Sequence, residues 1–146
     1  MKKIFLMVFI VCFCSIAQRA ISEQYLLDCK IDVEATNTAT GEVMKKFPIQ
    51  RYFVIDTVLA QVYDANNLPL DVEDFDEDMI VFHKKAANMN NIVDTQFHYS
   101  RGTNKITLSE IYANNVNDTL PRFNTRGAGS CSEKEIERKL NPGVWF

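Results

Sequence analysis

The residues best placed to do chemistry in this sequence are two cysteines, Cys29 and Cys131. The other two, Cys12 and Cys14, lie in an apolar N-terminal run that we expect to be removed. In an exported protein an isolated cysteine pair is far more often a structural bridge than a metal or redox site. We therefore predict a Cys29–Cys131 disulfide that ties the first strand of the domain to its closing segment.

An acidic run occupies residues 71–78, with the sequence D-V-E-D-F-D-E-D. Three of its aspartates have the spacing that opens an EF-hand calcium loop, namely Asp74, Asp76 and Asp78. An EF-hand would continue with Gly and end with Glu at the twelfth position, where this sequence has Met79 and Lys85. We interpret the run as a solvated acidic loop in front of a hydrophobic strand, with calcium binding left as the alternative.

Two histidines, His83 and His98, are the remaining candidates for a metal site or a catalytic base. Neither belongs to an HExxH, CxxC or HxH pattern, so the sequence predicts no metal ligand and no cofactor. The candidate nucleophiles are Ser100, Ser109 and Ser130. Because none stands in a G-x-S-x-G elbow, we predict no catalytic residue and expect the protein not to be an enzyme.

The N-terminus has the pattern of a signal peptide over residues 1–17. Lys2 and Lys3 precede an apolar run, residues 4–14, and the small residues Ser15 and Ala17 place a cleavage site before Gln18. The apolar run is shorter than the roughly 20 residues that a membrane span needs. We therefore predict a periplasmic or secreted protein with no membrane span once the signal is removed.

The remaining residues, 18–146, are enough for one domain with a hydrophobic core. The formal net charge of the whole chain is −3, and removal of the two signal-peptide lysines makes it more negative. A mildly acidic protein has no electrostatic reason to bind nucleic acid or an anionic membrane. Composition thus excludes nucleic acid as the expected partner.

The sequence around Cys29 is the clearest strand pattern. In residues 25–34 the side chains of Leu27, Cys29, Ile31 and Val33 alternate with charged side chains. Because a strand has a period of two, we predict that one face is buried and the other is exposed to solvent. Further strands are predicted at residues 43–47, 49–56, 58–63, 79–83, 92–100, 105–112 and 120–125.

A late helix is predicted at residues 133–140, because Ser132 and Glu135 form a capping box and Pro142 follows the run. Six to eight short strands with one C-terminal helix predict an all-β, mainly antiparallel fold, either a small sandwich or a barrel. Periodicity alone leaves the choice between sandwich and barrel open.

The sequence resembles small exported bacterial β-proteins that carry one cysteine in the opening strand and one close to the end. The resemblance lies in Leu26-Leu27-Asp28-Cys29-Lys30 and in a hairpin with Arg101-Gly102-Thr103-Asn104-Lys105-Ile106. It implies export and a β fold but no activity. The periplasmic inhibitors of C-type lysozyme are a second comparison, as small disulfide-linked barrels, although their Ser-Gly-x-x-Tyr loop is absent from this sequence.

Taken together, these patterns predict a non-enzymatic exported β-domain that binds another protein or a cell-envelope component. The alternative is a secreted hydrolase or a periplasmic inhibitor of a lysozyme-type enzyme. A deep pocket that holds a histidine beside a serine or carboxylate would favour the hydrolase. A broad apolar or aromatic patch would favour a binding partner.

Overall fold

A computed structural model of the protein describes residues 24–87, 91–114 and 123–136. They form one antiparallel sheet of eight strands: β1 (Gln24–Asn37), β2 (Val43–Asp56), β3 (Gln61–Asp64), β4 (Asp71–Phe75), β5 (Met79–Ala87), β6 (Asn91–Ser100), β7 (Lys105–Asn114) and β8 (Phe123–Glu135). The order in the sheet is β3-β2-β1-β8-β7-β6-β5-β4. The all-β prediction is confirmed, and the predicted signal peptide, residues 1–17, lies outside the described residues.

The sheet curls into a nearly closed barrel. Four strands separate β2 from β5 in the pairing order, yet the ring of Phe53 on β2 lies 4.9 Å from that of Phe82 on β5 and 5.1 Å from that of Phe97 on β6. At the edges, the Leu70 N–H just before β4 donates to the Val62 carbonyl on β3, at 2.8 Å. Because one sheet supplies every wall around this aromatic core, the fold is barrel-like rather than a two-sheet sandwich.

The central strand is β1, which pairs with β2 and β8 along nearly its whole length. Leu27, Cys29, Ile31 and Val33 are all buried, whereas the alternating residues between them retain contact with solvent. The alternation predicted for this stretch is confirmed. Burial of the apolar row supplies the hydrophobic stabilisation that holds the barrel around β1.

The predicted C-terminal helix is wrong for the part that is described, because β8 continues through Glu135. Pairing with β1 stabilises the extended form, and the Lys134 ammonium lies 3.0 Å from the Asp28 carboxylate on β1. The Tyr99 hydroxyl on β6 also donates to Glu133, at 2.7 Å. A helix of two turns is marginal by itself, so these sheet contacts override the capping signal. Residues 137–140 of that prediction lie outside the described residues.

Two other local predictions need correction. Residues 58–60 belong to a turn, and β3 begins only at Gln61. The turn forms because the Asp56 carboxylate accepts the N–H groups of Val58 and Leu59 at 3.1 and 2.9 Å. The predicted acidic loop is also partly wrong, since residues 71–75 form strand β4 and only residues 76–78 connect it to β5.

Candidate functional site

The predicted disulfide is present, with a sulfur–sulfur distance of 2.05 Å between Cys29 and Cys131. The two residues stand directly opposite each other on β1 and β8. Cys29 is fully buried and Cys131 is 8% exposed. The disulfide therefore links β1 covalently to β8 inside the core. It leaves no thiol at this position for redox chemistry.

The barrel wall is incomplete between β2 and β5. Strand β3 pairs with β2 only along residues 53–56, and β4 pairs with β5 only along residues 80–83. Among the described residues, no strand pairs with that side of β2 over residues 43–52 or with that side of β5 over residues 84–87. Two strand edges therefore flank an opening into the barrel.

A cavity of about 500 Å³ lies at this opening and is called here the β2–β5 cavity. The apolar residues that line it include Ile49, Phe53, Val93, Phe97 and Leu108. The polar residues that line it include Arg51, Asp64, Asn66, Lys84, Thr95 and Glu110. A concave apolar surface with a few polar groups around it is the usual composition of a binding site.

The polar side chains are placed by the strand register. Lys84 on β5 stands opposite Thr95 on β6, Thr95 opposite Glu110 on β7, and Glu110 opposite Thr125 on β8. Cross-strand partners share one face of a sheet, so these residues form a polar row across the inner wall. The next inner row toward the core holds Phe97 and Leu108, which makes the barrel apolar inside and polar at this end.

An ion pair limits the cavity on the β3 side. The Lys84 ammonium lies 3.0 Å from the Asp64 carboxylate, whose side chain is only 6% exposed. The Asp64 carboxylate accepts hydrogen bonds from the Leu68 N–H, the Lys84 ammonium and the Asn66 N–H. These bonds, of which that from Leu68 has the largest effect, hold the pKa of Asp64 below its ordinary value. Asp64 therefore stays ionised and joins β5 to the turn that leaves β3.

The predicted histidine candidate His83 lies on the outer face of the sheet rather than in the cavity. Its Nε2 is 2.7 Å from the Glu73 carboxylate on β4, and its Nδ1 is 3.2 Å from the Asp94 carboxylate on β6. Gln96 also donates to Glu73, at 3.0 Å. Because carboxylates occupy both ring nitrogens, the imidazole links three strands and has no ring nitrogen left to activate a nucleophile.

This bridge predicts a pH-dependent contribution to stability. The hydrogen bond to Glu73 raises the pKa of His83 above its ordinary 6.5, and the hydrogen bond to Asp94 adds to this effect. Partial burial of the ring lowers the pKa but does not outweigh these bonds. A group whose pKa is higher in the folded state contributes its full stabilisation at pH values below its pKa in the unfolded chain. That contribution disappears as the pH rises through the pKa of the group in the folded protein. We expect the His83→Gln variant to lose about 1 kcal/mol of unfolding free energy near pH 6 and progressively less at higher pH.

The measurement is denaturant unfolding of both proteins between about pH 5.5 and 9, a range that spans the histidine titration. His98→Gln is the matched control, since it removes a histidine from the same outer face and leaves the carboxylate bridge intact. A constant difference between wild type and His83→Gln across this range would contradict the bridge.

The predicted serine candidates do not join a histidine. In the described part of the chain, no serine hydroxyl lies within hydrogen-bonding distance of His83 or His98. Ser100 accepts a hydrogen bond from Thr103 at 3.0 Å, and Ser109 and Ser130 lie on β7 and β8. The serine–histidine pair of a hydrolase is therefore not present among these candidates in the part of the chain that the structure describes.

The acidic run also has a structural role. The Asp76 carboxylate accepts the N–H groups of Asp78 and Met79 at 2.8 and 2.6 Å, and these bonds close the turn into β5. These two hydrogen bonds hold the pKa of Asp76 below its ordinary value, and the bond from Met79 has the larger effect. Over residues 24–87, 91–114 and 123–136, no group of three or more His, Cys, Asp or Glu side chains has an arrangement that could hold a metal ion.

The described residues contain no helix long and apolar enough to cross a membrane. Comparisons of this chain with protein-family models, with curated proteins and with solved structures find no match. Function therefore has to be inferred from the cavity and its surroundings.

Proposed function

We propose that this protein is an exported, non-enzymatic binding domain and that the β2–β5 cavity is its binding site for another protein or a cell-envelope component. The observation that carries the proposal is the combination of an apolar cavity, a row of polar side chains at its rim and an opening between two strand edges. A ligand there could bury apolar groups and also find hydrogen-bond partners.

Binding is supported over catalysis by the chemistry of the lining residues. The cavity contains both charge signs, but Asp64 is already paired with Lys84 and Thr95 donates to Glu110 at 3.4 Å. A hydrolytic site needs a nucleophile activated by a base. The Thr95–Glu110 contact is a cross-strand pair of a kind that also stabilises the sheet, and the Lys84–Asp64 ion pair joins β5 to β3 across the opening. The side chains fit recognition of a ligand better than its cleavage.

Export is supported by the disulfide and by the pattern of residues 1–17. Disulfides persist in oxidising compartments and are rare in the cytoplasm. The Cys29–Cys131 bond is therefore in keeping with a protein that works outside the cytoplasm, and the basic, apolar and small residues at the N-terminus supply a route there. We place the protein in the periplasm or among secreted proteins.

The test is site-specific photo-crosslinking in the source cells with the full chain. A photoreactive phenylalanine analogue replaces Ile49, which lines the cavity, faces inward opposite Ile31 and is partly exposed. The matched control places it at Thr107, an exposed position on β7 that does not line the cavity. We expect an adduct at position 49 and none at position 107, and we expect Val93→Trp, which fills the cavity, to remove the adduct.

Equal adducts at both positions, or an adduct at position 49 that survives Val93→Trp, would contradict the cavity as the binding site. Ile92→Trp controls for the added indole, because Ile92 is the exposed neighbour of Val93 on the same strand. Turnover of a generic hydrolase substrate that disappears in His98→Ala would support the hydrolase alternative. Inhibition of a C-type lysozyme by the purified protein would support the inhibitor alternative.

A further inference from the structure

The longest unpaired strand edge in the described structure belongs to β2. Its other edge pairs with β1 from residue 43 to residue 56, but β3 covers only residues 53–56. Residues 43–52 therefore present backbone groups with no strand partner among the described residues. Exposed edges of this kind are templates for pairing with another chain.

The register shows which backbone groups face outward. The Val62 carbonyl on β3 accepts from the Leu70 N–H, so it points away from β2, and its cross-strand partner Ile55 must point its own groups toward β1. Directions alternate along a strand, and the β1–β2 register is continuous over this stretch. The N–H groups of Gln50 and Tyr52 therefore face the free edge.

Proline at position 48 fits this alternation. Pro48 has no N–H, and it occupies an edge-facing position, where no hydrogen bond to β1 is lost. An incoming strand can pair with the carbonyls and N–H groups on the C-terminal side of Pro48, which is the side that lines the cavity. It would displace the exposed Arg51 guanidinium, which donates to the Gln50 carbonyl at 3.3 Å. The edge is thus open to pairing where the cavity begins.

The charges on the two free edges are all of one sign. Residues 43–52 and 84–87 contain five basic side chains and no acidic one: Lys45, Lys46, Arg51, Lys84 and Lys85. The chain as a whole carries a net charge of −3, so this concentration of cations differs from the average surface. Such a border attracts an acidic ligand.

Two of these cations, Lys46 and Lys85, can exchange partners at little cost. Lys46 pairs with Glu34 at 2.8 Å and Lys85 with Asp71 at 3.5 Å, and all four side chains are between 42% and 74% exposed. Exposed ion pairs contribute little to stability. Replacing their carboxylates by those of a ligand therefore costs the fold almost nothing.

We propose that an acidic, extended segment of a partner protein adds as a strand to the free edge of β2, with alternate side chains entering the β2–β5 cavity. This inference rests on the proposed function, because it identifies the chemistry of the ligand at the same site. Main-chain hydrogen bonds to β2 would supply affinity, and the cavity together with the basic border would supply specificity.

A second copy of this chain fits the edge less well. Antiparallel pairing of two β2 edges would bring Lys45, Lys46 and Arg51 of one copy toward the same residues of the other. Like charges on neighbouring strands are destabilising. An acidic partner removes that repulsion, so we favour it over self-association.

The probe is a short capped peptide of alternating Glu and Val, titrated by fluorescence anisotropy into the mature oxidised protein. N-methylation of alternate peptide amides, which removes strand hydrogen bonds, should weaken binding by about tenfold or more. The double variant Lys45→Glu with Arg51→Glu should weaken it by a similar factor. Lys30→Glu with Lys105→Glu makes the same charge change on exposed outer positions and should leave binding unchanged.

Equal binding of the N-methylated peptide, or of a peptide with Lys in place of Glu, would overturn strand addition by an acidic segment. A dimer in light scattering that dissociates in the Arg51→Glu variant would assign the edge to a second copy instead. If the acidic peptide does not bind while Val93→Trp still removes the photo-crosslinked adduct, this inference is wrong and the proposed function stands. If the adduct is also insensitive to Val93→Trp, both are wrong.

Discussion

Replacing both Cys29 and Cys131 with alanine is expected to lower the free energy of unfolding by about 4–5 kcal/mol. The bond joins residues that are 102 positions apart, so its loss releases nearly the whole described barrel as one loop in the unfolded chain. A loss of this size is comparable to the total stability of many small domains. Chemical denaturation of the oxidised protein and the double-alanine variant measures it directly.

The reduced wild-type protein is the control for this experiment. It retains both cysteine side chains, so it separates the loss of the bond from the loss of packing by the buried sulfur of Cys29. We expect reduction alone to account for most of the change. A difference of less than about 1 kcal/mol between oxidised and reduced protein would contradict the stabilising role of the bond.

The second large effect is expected at Gly129 on β8. A Cβ atom there would overlap the Lys30 carbonyl oxygen and lie 2.7 Å from the Ile31 Cα atom. Both obstacles belong to the backbone of β1, which cannot move aside as a flexible side chain would. Gly129→Ala should therefore cost about 3 kcal/mol of unfolding free energy.

Gly102→Ala is the matched control for Gly129→Ala. Gly102 lies in the β6–β7 turn, and a Cβ atom there would meet nothing within 4 Å. We expect its unfolding free energy to stay within about 0.5 kcal/mol of the wild-type value. If the two variants were equally stable, the close approach of β8 to β1 at this position would be wrong.

Gly129 also shows where local reading of the sequence fails. Read locally, the run Gly127-Ala128-Gly129 has the small residues that are typical of a flexible connection. It lies instead within β8, and its glycines allow β1 and β8 to approach closely. Small residues produce both outcomes, and only the cross-strand neighbours distinguish them.

Elements with strong local patterns could be predicted from the sequence. The alternation around Cys29 depends only on residues within β1, and the disulfide followed from the expectation that only two cysteines remain once residues 1–17 are removed. The helix predicted from Ser132 and Glu135 failed because the deciding contacts lie on β1, about a hundred residues earlier. Tertiary pairing of this kind leaves no local signal near the C-terminus.

The cavity could not be predicted because five separate strands build it. A signal was nevertheless present in three of them. On β5, β6 and β7 the inward-facing residues include Phe82, Phe97 and Leu108. Each is followed, at the same end of the barrel, by an inward-facing polar residue: Lys84, Thr95 and Glu110. Recognising that these ends coincide requires the strand register, which the sequence does not contain.

Amide hydrogen exchange along β2, measured by NMR on the oxidised protein without ligand, tests the open edge most directly. We expect the amides of Gln50 and Tyr52, which face the opening, to exchange about 100-fold faster than those of Ile49 and Arg51, which face β1. All four lie on consecutive residues of one strand, so local sequence and depth are closely matched. Equal protection of both sets would show that this edge of β2 is already paired and would contradict the binding site proposed there.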